Sequence, residues 1–306
     1  MQYRVVAIAS VLVLIGAGCA GSTPTSDVPG KVPVAQQMGG NAAAGAAEAD
    51  AGHGADAEHL AVAAGSRIAL DNKSGLKPGD VALRFKLYGL DGHEFGPNDL
   101  KITHEKKMHF LLVRDDMTGF QHLHPEYADG KWTVSAKVSE AGQYQMYVDI
   151  EPEEEKPVVL RVPLAIGSPT PSKAFPEPNA DRSAMNGNYR AALAIDGALR
   201  TNQETRLTFA LTEEGKPVAD IDPYLGAFGH VVLLRHNDVD DFFHVHPVTE
   251  SKPTDGRVEF DATFPSKGRY TLYAQFKIKG EVRTLPITVD VNDVGGSGGA
   301  MPGSHN

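Results

Sequence analysis

The chain of 306 residues carries a single cysteine, Cys19. An internal disulfide is therefore excluded, and so is a blue-copper centre, which needs a thiolate ligand beside its histidines. Basic charge is also short. There are 29 Lys and Arg against 39 Asp and Glu, a formal net charge of -10, which excludes nucleic acid as a partner because its phosphates would be repelled. No stretch has a long helical period with caps. The longest apolar run, Val5 to Ile15, is too short for a transmembrane helix. No Gly-x-Ser-x-Gly nucleophile elbow occurs.

That short run has a role as a targeting segment. Arg4 supplies a positive start, the apolar run follows, and Ile15-Gly-Ala-Gly-Cys19 closes it. The closing residues resemble a bacterial lipobox, with Gly16 standing where the pattern prefers Leu. The resemblance implies cleavage after residue 18 and lipidation of Cys19, which also explains a lone thiol in an oxidising compartment. Ala20 follows, not the Asp that retains lipoproteins at the inner membrane. The expected location is the periplasmic side of the outer membrane, with the membrane itself a partner through the lipid anchor.

Residues 20–66 are rich in Ala, Gly, Pro and Thr and read as a disordered tether, with His53 and His59 among acidic residues. From Ile68 onward the pattern is β. Val81 to Tyr88, Trp132 to Val138 and Leu207 to Leu211 alternate with period two, and Asp91-Gly92, Asp129-Gly130, Ala141-Gly142, Asp255-Gly256 and Lys267-Gly268 punctuate them as turns. Glu151 to Glu155 is an acidic run that reads as a solvated loop. Residues 169–187 form a proline-rich linker and 293–306 a flexible tail.

The two sides of that linker repeat each other in order. Leu83-x-Phe-x-Leu87 matches Leu207-x-Phe-x-Leu211. Phe120-x-His-x-His-Pro125 matches Phe242-x-His-x-His-Pro247. Gly142-Gln-Tyr-Gln-Met-Tyr147 matches Gly268-Arg-Tyr-Thr-Leu-Tyr273, and Val162-Pro-Leu matches Leu285-Pro-Ile. The expected fold class is all-β: two tandem immunoglobulin-like β-sandwich domains, 67–168 and 188–292, after a lipoprotein signal peptide (1–19) and the tether. The strand and turn order resembles small bacterial extracytoplasmic domains of the YtkA-like or FixH-like type. The His-x-His-Pro motif is similar to that of secreted proteins and lipoproteins, some associated with heavy-metal handling. The resemblance implies a sandwich fold and, for the motif, metal.

On a strand, residues i and i+2 share a face about 7 Å apart. Two imidazoles so placed can lean toward one ion at bond lengths of about 2 Å. His122 and His124 form such a pair, and so do His244 and His246. His109 and His230 precede the corresponding turns. If each segment is a hairpin, pairing His109 with His124 brings His109, His122 and His124 to one face, and pairing His230 with His246 repeats this. A slip of one residue would turn His109 away. Residues 109–113 are apolar on both faces and leave the register open. Phe120 and Phe242 fall on the histidine side, as pocket walls or as packing. Leu123 and Val245 mark the core side.

Six candidate metal ligands result: His109, His122, His124, His230, His244 and His246. Imidazole-only ligation suits Cu(II), Zn or Ni, so copper or zinc is expected, up to two ions. Met108 and Met117 read as packing, His93, His104 and His236 as surface residues, and Asp115, Asp116, Asp240 and Asp241 as turn formers. Arg114 and Arg235 read as braces of the hairpins. The functional expectation is a lipid-anchored metal-binding protein for homeostasis, buffering or delivery, with metal-transport or envelope proteins as partners. Two alternatives stay open: an envelope interaction or assembly module with structural histidines, and a redox enzyme like copper–zinc superoxide dismutase, whose strand motif Phe243-His-Val-His246 resembles.

Overall fold

A computed structural model describes residues 60–63, 66–168, 173–238, 242–245, 247–249 and 251–293. The first half holds β1 (Leu60–Ala63), β2 (Ser66–Leu70), β3 (Gly79–Tyr88), β4 (His109–Arg114), β5 (Gln121–Leu123), β6 (Glu126–Ala128), β7 (Lys131–Val138), β8 (Gly142–Ile150) and β9 (Val158–Ile166). The second half holds β10 (Ser183–Asn186), β11 (Tyr189–Ile195), β12 (Glu204–Glu213), β13 (Lys216–Pro217), β14 (Ile221–Asp222), β15 (His230–Arg235), β16 (Phe242–Val245), β17 (Arg257–Thr263), β18 (Gly268–Ile278) and β19 (Glu281–Val291). Among the described residues there is no α-helix, and no helix long and apolar enough to cross a membrane.

The strands form four sheets, two in each half. One sheet of the first half runs β1-β2-β3-β7-β6, and its counterpart runs β10-β11-β12 with β13 and β17 both on β12. The other runs β5-β4-β8-β9, matched by β16-β15-β18-β19 with β14 also on β18. All strand pairs are antiparallel, as tandem immunoglobulin-like sandwiches require. Period-two burial builds each core. In β3, Val81, Leu83, Phe85 and Leu87 point inward between exposed neighbours, and Trp132, Val134, Ala136 and Val138 of β7 do the same. Tyr144 donates its hydroxyl to Glu140 O at 2.8 Å, and Tyr270 to Ser266 O at 2.9 Å. Both are tyrosine corners, pinning the loop before β8 and before β18 to the strand that follows.

Two strands lie in stretches expected as connections. β1 falls within the expected tether, where Leu60-Ala-Val-Ala63 pairs with β2 and forms the edge of the sheet. β10 falls within the expected linker and pairs with β11, turning back through Gly187 at φ 60. Short alanine-containing edge strands lack the β-branched alternation that marks interior ones.

β4 and β15 depart from alternation, being buried on both faces. Phe110 and Leu112 enter the core of the first half, and Val231 and Leu233 that of the second. The opposite faces, Leu111 and Val113 with Val232 and Leu234, pack together in a separate cluster with Met117, Tyr147 and Tyr273. This cluster joins the halves. Phe120 stacks on Tyr273 at 4.0 Å and Phe242 on Tyr147 at 5.3 Å, each crossing from one half to the other. The contact is isologous in kind, with equivalent residues exchanged between the partners. Double-faced burial is why residues 109–113 show no alternation, and each fully buried leucine here contributes about 1.5–3 kcal/mol.

At the end of β4, Arg114 is buried and its guanidinium donates to Asp116 Oδ2, whose other oxygen accepts from Thr118 N at 3.1 Å. A Cβ on Gly142, at φ 153, would lie 2.5 Å from Arg114 Nε, so the glycine makes room for the brace. The bracing role expected of Arg114 and the turn role of Asp116 are both seen.

Candidate metal centre

The register left open by the sequence is settled in both halves. Phe110 opposes Leu123 and Leu111 opposes His122, so one step further His109 stands opposite His124. In the second half Val231 opposes Val245 and Val232 opposes His244. His109, His122 and His124 thereby share a face, and one ligand nitrogen from each lies within 4.8 Å of the others. This group of three histidines can hold a metal ion. His246, like Cys19, His53, His59, Asp240 and Asp241, lies outside the described residues.

The hydrogen bonds fix the proton on two of these rings. His109 Nε2 is 3.0 Å from Thr103 O. A carbonyl only accepts, so Nε2 carries the hydrogen. Burial lowers the His109 pKa to about 4, so the ring is neutral at pH 7 and Nδ1 is bare. His122 Nδ1 is 2.8 Å from Gln275 Oε1, while the same amide donates from Nε2 to Thr284 Oγ1 at 3.1 Å. His122 therefore donates from Nδ1, and burial holds its pKa well below the usual imidazole value. Its bare Nε2 faces the bare Nδ1 of His109 at 3.0 Å. Two lone pairs meet where a hydrogen bond would need one proton. His124, lowered to about 3 by burial, adds a buried Nε2 with no hydrogen-bond partner. A buried polar atom left so is costly in an apolar surrounding.

The second half repeats this geometry. His230 Nε2 donates to Tyr224 O at 2.8 Å, burial lowers its pKa to about 4, and its bare Nδ1 faces His244 Nε2 at 3.1 Å. His244 Nδ1 lies 3.8 Å from Asp149 Oδ2 in the first half. Packing raises the Asp149 carboxyl to about 7, although a quarter of the side chain remains exposed. Asp149 opposes His109 across β4 and β8, and Gln275 opposes His230 across β15 and β18. Each half thus places a polar side chain against the other half's His-x-His strand.

The carbonyls that orient His109 and His230 come from matching tight turns. Thr103 pairs with Lys106 around His104 (φ 50) and Glu105 (φ 64), and Tyr224 pairs with Ala227 around Leu225 (φ 55) and Gly226 (φ 78). Two consecutive left-handed residues make a type I′ turn, unusual for His-Glu without glycine or asparagine.

One histidine assigned to the surface, His236, needs correction, while His104 and His93 are exposed as expected. His236 is buried, stacks on Phe175 at 4.8 Å and bonds Thr271 Oγ1 at 2.8 Å, because β15 runs under the inter-half cluster before it turns. His104 is solvent-exposed, yet its ring centroid lies 5.8–6.1 Å from those of His109, His230 and His244, at the rim of the group. His93 is exposed and pairs with Asp99. Asp149, Gln275 and the turn carbonyls escaped the sequence reading. Asp149 and Gln275 each stand two residues after the matched Tyr147 and Tyr273, so the repeat alignment held the signal.

A family described as Domain of unknown function (DUF8832) matches residues 61–163 and again 183–293. These segments cover more than half of the chain, which belongs to that family. No curated protein matches it. Among solved structures, the Escherichia coli adhesin FdeC is similar at 13% identity and a TM-score of 0.25, covering 76% of this chain and 65% of that one. A Salmonella alpha-2-macroglobulin mutant is similar at 12% identity and a TM-score of 0.23, covering 76% of this chain and 15% of that one. The D0–D1 domain of intimin follows at 11% identity and a TM-score of 0.20, covering 74% and 97%. The chain spans under two thirds of the first two.

Proposed function

We propose that this member of the DUF8832 family is a lipid-anchored periplasmic protein that binds copper or zinc through its clustered histidines, for homeostasis, buffering or delivery. Kinship with YtkA-like or FixH-like domains and lipidation at Cys19 belong to the same proposal. The observation that carries the metal reading is the pair of bare nitrogens, His109 Nδ1 and His122 Nε2, held 3.0 Å apart by outer hydrogen bonds that fix both tautomers. A cation is what two facing lone pairs attract. Bonds of about 2 Å to each nitrogen can span that gap from a point off the line between them. The outer bonds, imidazole N–H to a backbone carbonyl or an amide oxygen, are those that orient histidine ligands. Ligation by imidazole alone suits Cu(II) and Zn.

Calorimetric titration of the full chain with Cu(II) and with Zn(II) tests it. Binding tighter than about 10 μM is expected, weakened at least tenfold by His122→Ala. The rival reading is an envelope interaction module whose histidines only brace the hairpins. It draws on the carbonyl bonds of His109 and His230, and it stands if neither metal binds.

A further inference from the structure

The ring spacings do not respect the boundary between the repeats. Within the first repeat His109 lies 5.3 Å from His122 and 5.2 Å from His124, centroid to centroid, and within the second His230 lies 5.2 Å from His244. Across the boundary His244 lies 5.1 Å from His109 and 5.5 Å from His122. We infer that the two repeats build one shared metal centre, with ligands from both sides of their interface, rather than two separate sites. This rests on the metal reading above.

Three further observations support it. The outer partners cross over, Gln275 of the second repeat holding His122 of the first, and Asp149 of the first facing His244 of the second. The Phe120–Tyr273 and Phe242–Tyr147 stacks fix the same two hairpins against each other beside the histidines. The two tight turns meet at the rim, where a Cβ on Gly226 would lie 3.7 Å from Glu105 Cγ. A divalent transition metal bound here would take nitrogens from both sandwiches and clamp them. Two ions would sit as one coupled pair. The repeats would then be the two walls of a single site, with the second repeat adding His244 to the three histidines of the first.

Stepwise loading of the wild-type full chain with Cu(II), followed by electron paramagnetic resonance, tests this without any substitution in so buried a cluster. The expected result is saturation at one ion, or at two ions whose spectrum shows dipolar broadening or a half-field transition. As a second measurement, His124→Ala, His244→Ala and the double variant are titrated. Each single change should weaken binding tenfold or more, and the combined loss should differ from the sum. Two isolated spectra with additive losses would overturn the shared centre while leaving metal binding in place. A wild-type chain that binds no copper would overturn both.

Discussion

In the first repeat His109 donates to Thr103 O and faces His122; in the second His230 donates to Tyr224 O and faces His244, with nitrogen separations of 3.0 and 3.1 Å. The repeats part company in what surrounds these rings. His122 rests on the neutral amide of Gln275, whereas His244 faces the carboxyl of Asp149, which titrates at about 7. The first turn projects His104 to the rim, where the second places a buried Leu225. Duplication copied the backbone frame, strand register and tight turn included, because these are set by local hydrogen bonding. The side chains that reach the other repeat were free to diverge, since each answers to a different neighbour. The halves are therefore unequal walls around similar rings.

Acid gives the largest test of the equivalence of the rings. His109 and His230 each titrate at about 4 in the folded chain, against about 6.5 when unfolded. Above pH 6.5 both states are neutral and these groups leave stability unchanged. As pH falls from about 6.5 to about 4 only the unfolded chain takes up protons, so stability drops by up to about 1.4 kcal/mol per pH unit for each histidine. His124 and His122, also lowered, add to the drop. Asp149 works in the opposite sense below about 7, because its folded form protonates first, and it offsets part of the loss. The unfolding free energy of the metal-free chain, measured by urea titration between pH 7.5 and 4.5, should fall by several kcal/mol in total. His109→Gln and His230→Gln should each flatten the profile equally. A flat wild-type profile would mean these rings are not held neutral.

A smaller effect separates the inter-repeat face from the sandwich cores. Leu111 and Leu112 are adjacent, both fully buried, and packed in different clusters. Each Leu→Ala should cost about 2–5 kcal/mol. Leu112→Ala removes packing inside the first sandwich alone. Leu111→Ala loosens the cluster shared with Val232 and Tyr273, so it should weaken metal binding and split one thermal transition into two when followed by different probes. Coincident melts and equal metal affinities for the two variants would erase the distinction.

Much of this was legible in the residues. Period-two alternation in β3, β7 and β12 gave the fold class, and matched motifs in fixed order gave the repeat. The histidine triad followed from a register that the structure contains. What stayed hidden was the partner of the histidine face. A strand buried on both sides, like His109–Arg114, has no alternation to read, and nothing local distinguishes packing on one's own sandwich from packing on the other. Asp149 and Gln275 were hidden for the same reason. They act across the interface on strands more than a hundred residues away in one case and about a hundred in the other, beyond the reach of any local pattern. His236 was misplaced because its burial comes from Phe175 in the linker.

The finest test exchanges the two outer partners. A carboxylate that accepts from a ligating imidazole raises its basicity and strengthens the metal bond, and removing one commonly costs 10–100-fold in affinity. At 3.8 Å the Asp149–His244 pair is too long for a hydrogen bond, so its benefit should appear when a bound ion drives off the Asp149 proton and draws the pair together. Asp149→Asn should therefore weaken copper or zinc binding about tenfold, or about 1.4 kcal/mol, and remove a pH dependence centred near 7. Gln275→Glu should act oppositely on His122, tightening binding by a similar factor while making it more sensitive to acid. If the inequality of the walls lies in these two side chains, the double exchange moves the carboxylate from one wall to the other and leaves total affinity near the wild type. If both single variants match the wild type at every pH, the outer partners only position the rings, and the halves are chemically alike after all.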